Sequence, residues 1–415
     1  MIRLLVFCLL LAFGTAEAAP REISDHRWAD VDRIVAIGDL HGDYDNYMET
    51  LRAAGIVDRR DRWIAGSTHL VQTGDIPDRG PETKKIIEHM ARLARQASRR
   101  GGRVHNLIGN HEAMNVYGDL RYVTEEEFKA FATPRSERIR DRYFDAVLDD
   151  MKTRDPAGFA KRPDDFRAQW YDRRPLGWVE HRQAWNPNWN PDGEMFRWIS
   201  NARVAVQIND VVFVHGGISG HYCRDALESM TARAHAALEQ RDPEELGILT
   251  DEYGPLWYRG LAGVAPEAST ETVDAILRQH DAAHIVIGHT PTGGIIWPRY
   301  SGRVIQIDTG ISAAYGGHVA YLEITPERLF AGYLPEKIEL PGDDAGLADY
   351  LQRVIELLPD NEAARERLQA LRSEVDEARQ AATETGAAIE GSDNAPPPAG
   401  QAENENGIPI CGTRL

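Results

Sequence analysis

Residues 34–42 read Ile-Val-Ala-Ile-Gly-Asp-Leu-His-Gly. Four apolar, mostly β-branched residues make a short buried strand, and the glycine after them lets the backbone turn sharply, so an aspartate and a histidine emerge where the strand ends. The same design recurs. An apolar run at 69–73 leads into Gly74-Asp75-Ile76-Pro77-Asp78-Arg79-Gly80, and one at 104–108 leads into Gly109-Asn110-His111-Glu112. By residue frequency each of the three strings has a chance expectation of about one in several hundred or less, and jointly on the order of one in a billion, so coincidence is excluded. Further runs at 211–214, 285–287 and 304–307 lead into Val214-His215-Gly216-Gly217, Gly288-His289-Thr290-Pro291 and Asp308-Thr309-Gly310.

Six short runs alternating with helical patterns predict an α/β fold in which a central sheet is covered by helices. Polar residues gather where the runs stop, and the carboxyl ends of strands are where α/β proteins bind ligands. Pro81 suits the first turn of a helix reaching about Ala97. The catalytic body is expected over 28–340. Residues 115–201, rich in charge and in Trp170, Trp178, Trp185, Trp189 and Trp198, separate two motifs and read as an insertion packed beside the site or as a satellite core. Leu347, Leu351, Ile355 and Leu358 recur at helical spacing, predicting a helical extension over 341–383. The polar Gly, Pro, Glu and Asn-rich remainder, 384–415, reads as a disordered tail.

The formal net charge of -18 excludes nucleic acid as the partner. Residues 340–415 carry 15 acidic and 6 basic side chains, so about nine of those negative charges belong to the helical extension and tail together. At the other end, Arg3, an apolar run over 4–13 and Ala16-Glu17-Ala18 read as a signal peptide, 1–18, for export to the periplasm or beyond. The run is too short for a membrane span, and no later stretch is apolar enough to provide stable membrane insertion. After its removal only Cys223 and Cys411 remain, enough for one bridge in an oxidising compartment.

Asp39, His41, Asp75, Asn110, His215 and His289 offer oxygen and imidazole donors, all expected just after strands. That mixture suits a pair of divalent Mn, Fe or Zn ions better than calcium. Two cations about 3.5 to 4 Å apart repel strongly unless a carboxylate bridges them, and Asp75 is the best candidate.

The three strings, with His215 and His289, resemble the signature of the phosphoprotein phosphatases among the calcineurin-like metallophosphoesterases. The resemblance extends from about Ile34 to Tyr321. Ala113-Met114-Asn115 with Gly118-Asp119-Leu120-Arg121-Tyr122-Val123 is similar to the Shewanella-like protein phosphatase branch. It implies a sandwich of mixed β-sheets flanked by helices, and a preference for phosphotyrosine over phosphoserine or phosphothreonine. It also implies roles. Asp39, His41 and Asp75 would bind the first metal, and Asp75, Asn110, His215 and His289 the second. His111 would be the general acid, oriented by Asp78, and Arg79 a phosphate clamp. Arg259 is the candidate for a second phosphate-binding arginine, with Arg224 as the alternative.

The expected reaction is hydrolysis of a phosphate monoester on a protein or peptide, by a hydroxide held between the metals. Two dications against Asp39 and Asp75 leave about two positive charges, so a phosphate dianion is attracted despite the acidic body. Hydrolysis of diadenosine polyphosphates is the alternative, because enzymes of that activity carry similar strings. A metal-stabilised binding protein is another, though it would require a lost ligand or acid, and none is lost.

Overall fold

The computed structural model describes residues 21–240, 245–265, 267–385 and 411. The signal segment and nearly all of the tail lie outside them. Strands form at β1 (Arg21–Ser24), β2 (Arg27–Ala29), β3 (Ile34–Ile37), β4 (His69–Gln72), β5 (Arg103–Asn106), β6 (Ala205–Ile208), β7 (Val211–Val214), β8 (His284–Ile287), β9 (Trp297–Arg299), β10 (Val304–Gln306), β11 (Ala320–Ile324), β12 (Leu329–Tyr333) and β13 (Lys337–Glu339). They make two mixed sheets rather than one. The first runs β13-β12-β11-β3-β4-β5 and the second β1-β2-β6-β7-β8-β10-β9.

Burial on both faces explains the uninterrupted apolar runs. Side chains alternate across a strand, and here both faces meet protein. Ile34 and Ala36 of β3, with Val211 and Phe213 of β7 and Val286 of β8, join one apolar cluster that draws on both sheets. Val35, Ile37, Val212, Val214, Ile285 and Ile287 join a second cluster with the helices. A two-sheet sandwich with helices outside is the consequence.

Within the first sheet, β3, β4 and β5 are parallel, joined through α1 (Tyr44–Ala53) and α2 (Thr83–Ser98), and α3 (Asn110–Tyr117) follows β5. In the second sheet β7, β8 and β10 are parallel. Helices lie between β7 and β8, and β9 lies between β8 and β10; because the three strands are parallel, their carboxyl ends point the same way. Six predicted runs correspond to β3, β4, β5, β7, β8 and β10. The antiparallel strands β11, β12 and β13, which extend the first sheet, were not anticipated. At one pair in that extension Gly332 makes room for the Tyr321 ring, where any Cβ would collide.

The insertion is helical: α4 (Glu125–Ala130), α5 (Ser136–Arg154), α6 (Pro156–Ala160), α7 (Phe166–Asp172), α8 (Trp178–Trp185) and α9 (Glu194–Ile199). Trp170, Arg174, Trp178, Arg182 and Trp189 alternate in a column, with guanidinium-to-ring distances of 4.7, 5.2, 5.6 and 4.9 Å. Most of the aromatic cluster is thus a satellite core, while the chain just before it reaches the site. After α10 (Leu227–Leu238) and α11 (Thr270–His280), the C-terminal extension is two helices, α12 (Leu347–Leu357) and α13 (Glu362–Thr385). The single predicted helix is corrected for a simple reason: Pro359 disfavours helical backbone at Leu358 and ends the run. Leu351, Val354, Ala364 and Leu368 seat both helices on the inter-sheet cluster. No described helix is long and apolar enough to cross a membrane.

Candidate active site

All ten residues singled out as ligands, acid, orienting group or clamp converge at the carboxyl ends of the parallel strands. Five of them hold left-handed backbone: His41 (φ 42°), Asp75 (58°), Asp78 (73°), Arg79 (67°) and His289 (65°). Non-glycine residues avoid that region, and such strain concentrates where geometry serves function. Close approach demands glycine at two neighbouring positions. A Cβ on Gly38 would collide with the Ile307 carbonyl, and one on Gly109 with the Asp75 carboxylate.

Two groups of donors share Asp75. His41, Asp75 and His111 form one, and Asp75, His215 and His289 the other; within each, the donor atoms lie within 4.8 Å of one another. The ring hydrogen bonds assign the free nitrogens. His41 Nδ1–H donates to the Pro77 carbonyl (3.1 Å) and His215 Nδ1–H to that of Thr73 (2.9 Å), leaving Nε2 of each as a lone pair. His289 donates from Nε2 to the Trp257 carbonyl (3.2 Å), which leaves Nδ1. His215 Nε2 then faces Asn110 Oδ1 at 3.0 Å and Asp75 Oδ2 at 3.3 Å. Three acceptors converge with no proton between them, an arrangement that a cation satisfies. Asp39 belongs to neither three-membered group; its two oxygens each accept from the His289 backbone N–H at 3.2 Å.

Electrostatics agree with that fit. Burial, then the neighbouring Asp308 and Asp75, push the Asp39 carboxyl well above its ordinary range. Burial chiefly pushes Asp308 up to about 7, and burial with Asp75 does the same for Glu112. Burial lowers His41 to about 3, and burial with His215 and Arg259 holds His289 well below 6.5, so these imidazoles stay neutral, as ligands must. Burial alone would raise Asp75 too, but His215, His111 and His41 outweigh it and keep that carboxylate ionised. Carboxylate, carboxamide and imidazole donors, with no thiolate, form a donor set for divalent Mn, Fe or Zn.

His111 differs from the other histidines. Its Nδ1 is 2.5 Å from Asp78 Oδ2, and its Nε2 points inward, 3.9 Å from Asp75 Oδ2. Burial lowers its proton affinity, but the Asp75 and Asp78 carboxylates outweigh that and raise it. Asp78 is held in turn by Asn115 Nδ2 (2.8 Å) and, through its backbone N–H, by Glu127 of α4 (3.1 Å). Arg259 Nη1 donates to the His289 carbonyl (2.8 Å) and Thr290 Oγ1 (3.0 Å), tying it to the site, whereas Arg224 is exposed. Beyond Arg259 opens a cleft of about 420 Å³ lined by Tyr117, Arg121, Tyr253, Trp257 and Arg259.

Sequence reasoning missed several parts. Glu112 was quoted within a motif, but its Oε2 accepts from the backbone of Gly109 and Asp75 (both 2.9 Å) and its Oε1 from that of Ile76 (2.8 Å), stapling two loops together. Tyr122 and Tyr315 flank the Arg79 guanidinium, at 4.5 and 4.9 Å from its carbon. Tyr122 was quoted only within the string from Gly118 to Val123, and nothing local marked Tyr315 or Glu127.

The sequence profile of the calcineurin-like phosphoesterases matches residues 32–293. The chain is 31% identical over 312 residues to Shewanella-like protein phosphatase 2 of Arabidopsis thaliana, covering 71% of this chain and 75% of that protein. It is also 31% identical over 301 residues to a protein of Schizosaccharomyces pombe, covering 70% and 77%. Among solved structures, the cold-active protein-tyrosine phosphatase of a psychrophilic Shewanella species superposes with a TM-score of 0.59 at 26% identity, covering 77% of this chain and 83% of that one.

Proposed function

This chain belongs to the calcineurin-like phosphoesterase family, and from that membership we propose that it is a metal-dependent phosphoprotein phosphatase acting on phosphotyrosine. The observation that carries the reading is Asp75, shared by two histidine groups beside an imidazole that Asp78 holds in place. The named relatives, a protein phosphatase and a protein-tyrosine phosphatase, support the substrate class.

In this reading Asp39, His41 and Asp75 hold one divalent ion and Asp75, Asn110, His215 and His289 the other. When bound, such ions neutralise phosphate charge and make water a nucleophile at neutral pH. Arg79 and Arg259 then clamp the equatorial phosphate oxygens. As water oxygen bonds to phosphorus and the ester P–O bond breaks, the electron pair leaves with the ester oxygen. His111 Nε2 gives that oxygen its proton. Solvent returns to His111 the proton that the water loses, so the cycle closes without a phosphoenzyme. Asp78 keeps the imidazole aligned throughout.

Export is part of the proposal, supported by the signal-like residues 1–18 and by the bond between Cys223 and Cys411. The deciding assay compares a phosphotyrosine peptide, a phosphoserine peptide and diadenosine tetraphosphate with added Mn. Fastest turnover is expected on phosphotyrosine; preference for the dinucleotide would overturn the reading.

A further inference from the structure

We propose that Tyr122 sets the preference of this site for aryl over alkyl leaving groups, as the wall against which the ring bearing the ester oxygen lies. The proposal rests on the phosphatase reading above and deepens it.

Its ground is a stack of side chains. The Tyr122 ring lies 5.0 Å from the His111 ring, tilted by 37°. The same ring meets the Arg79 guanidinium at 4.5 Å, and Tyr315, 4.9 Å from that guanidinium, also meets His41 at 5.1 Å. The proton donor and the phosphate clamp therefore share one aromatic neighbour. Tyr122 is also held in place: its carbonyl accepts from Arg79 N–H (3.1 Å), and its loop is fixed by the α3 C-cap at Gly118 and the α4 N-cap at Thr124.

Exposure separates Tyr122 from the machinery it touches. His111 is 5% exposed and Asp75 2%, whereas Tyr122 is 36% exposed. Part of Tyr122 therefore stays open to solvent beside the proton donor and the clamp. Protonation requires the leaving oxygen to come within hydrogen-bond reach of His111 Nε2. Whatever that oxygen carries begins one bond further out, beside the imidazole and against Tyr122. A phenyl ring stacks there in an offset or edge-on contact, whereas the single methylene of a serine ester is too small to cover the face. The contact persists through bond breaking, so it favours aryl esters in kcat/KM.

The test uses the full-length, Mn-loaded protein and two peptides of identical flanking sequence, one with phosphotyrosine and one with phosphoserine. Tyr122→Ala is expected to lower kcat/KM for phosphotyrosine about three- to tenfold more than for phosphoserine, the size of one aromatic contact. Tyr122→Phe, which keeps the face, is expected to keep the wild-type ratio. Since the readout is a ratio within one preparation, partial loss of folded protein cancels. Equal losses on both peptides would overturn the inference, because Tyr122 would then act only by positioning His111 and Arg79. A wild-type protein that cleaves neither peptide would sink the phosphatase reading itself, before any variant is compared.

Discussion

Glu112 coordinates nothing in the proposed mechanism, and still three backbone N–H groups depend on its two oxygens. One of them belongs to Asp75, so the carboxylate sets where the shared ligand sits. Replacing it with glutamine keeps the shape but turns an amide NH2 toward an N–H donor. We expect Glu112→Gln to cost about 1.5–3 kcal/mol in urea unfolding, the range for hydrogen bonds to a charged group, and to weaken metal retention. His111→Asn makes the contrasting case. Turnover on phosphotyrosine is expected to fall by about 10²-fold or more, as for loss of a general acid, with metal content unchanged by elemental analysis. Loss of metal in that variant would mean that His111 is a ligand, as its place in the group with His41 and Asp75 allows.

At the scale of elements, neighbouring strands carry a titratable pair far from the chemistry. His69 of β4 and His105 of β5 are linked by a 3.1 Å ring hydrogen bond beneath Trp28 of β2. Burial, reinforced by Arg103, lowers His69 to about 4; burial, then His69, Arg103 and Arg203, holds His105 well below 6.5. Both groups therefore bind protons more readily when unfolded. Their contribution is complete above the unfolded value of about 6.5 and is lost as pH falls from there toward about 4, at up to about 1.4 kcal/mol per pH unit for each imidazole. Melting temperatures across that window should decline less steeply in His69→Asn than in wild type; an identical slope would refute the assignment. Element boundaries were legible where turn chemistry is local, as with the helix expected from Pro81 to about Ala97, which forms as α2 over Thr83–Ser98. They were less so in β12 and β13, whose short, part-exposed runs owe their pairing to neighbours rather than to their own pattern.

For the whole molecule, the ligand set has a mechanical consequence. Asp39, His41, Asp75 and Asn110 follow strands of one sheet, while His215 and His289 follow strands of the other. Cations held there would tie the sandwich together at one end. A chelator is expected to abolish activity and to lower the melting temperature, each site contributing about 2.7 kcal/mol when free metal is a hundredfold above Kd. Full turnover in metal-free protein would refute the mechanism. The second tie is covalent. Cys223, 2% exposed in the turn before α10, is bonded to Cys411, and 188 positions separate them. Peptide mapping without reductant should recover the two as one linked fragment. Reduction should cost at most about 5 kcal/mol on polymer grounds, and less to the extent that a long polar segment closes the loop.

The sequence alone determined the six strands at the centre of the fold, the order of the motifs and the donor types at the strand ends. Each depends on residues within a few positions of one another: β-branching makes the strand, glycine makes the turn, and the next polar side chain is left at the edge. Only the tertiary structure decided that Asp75 stands between two histidine groups, that Asp39 faces the backbone of His289, and that Tyr122 and Tyr315 close on Arg79 from opposite ends of the chain. It also decided which strands belong to which sheet and that Cys223 meets Cys411. Such contacts join residues far apart in the chain. Nothing in the neighbourhood of either partner encodes them, because the packing of the two sheets and their helices is what brings the partners together.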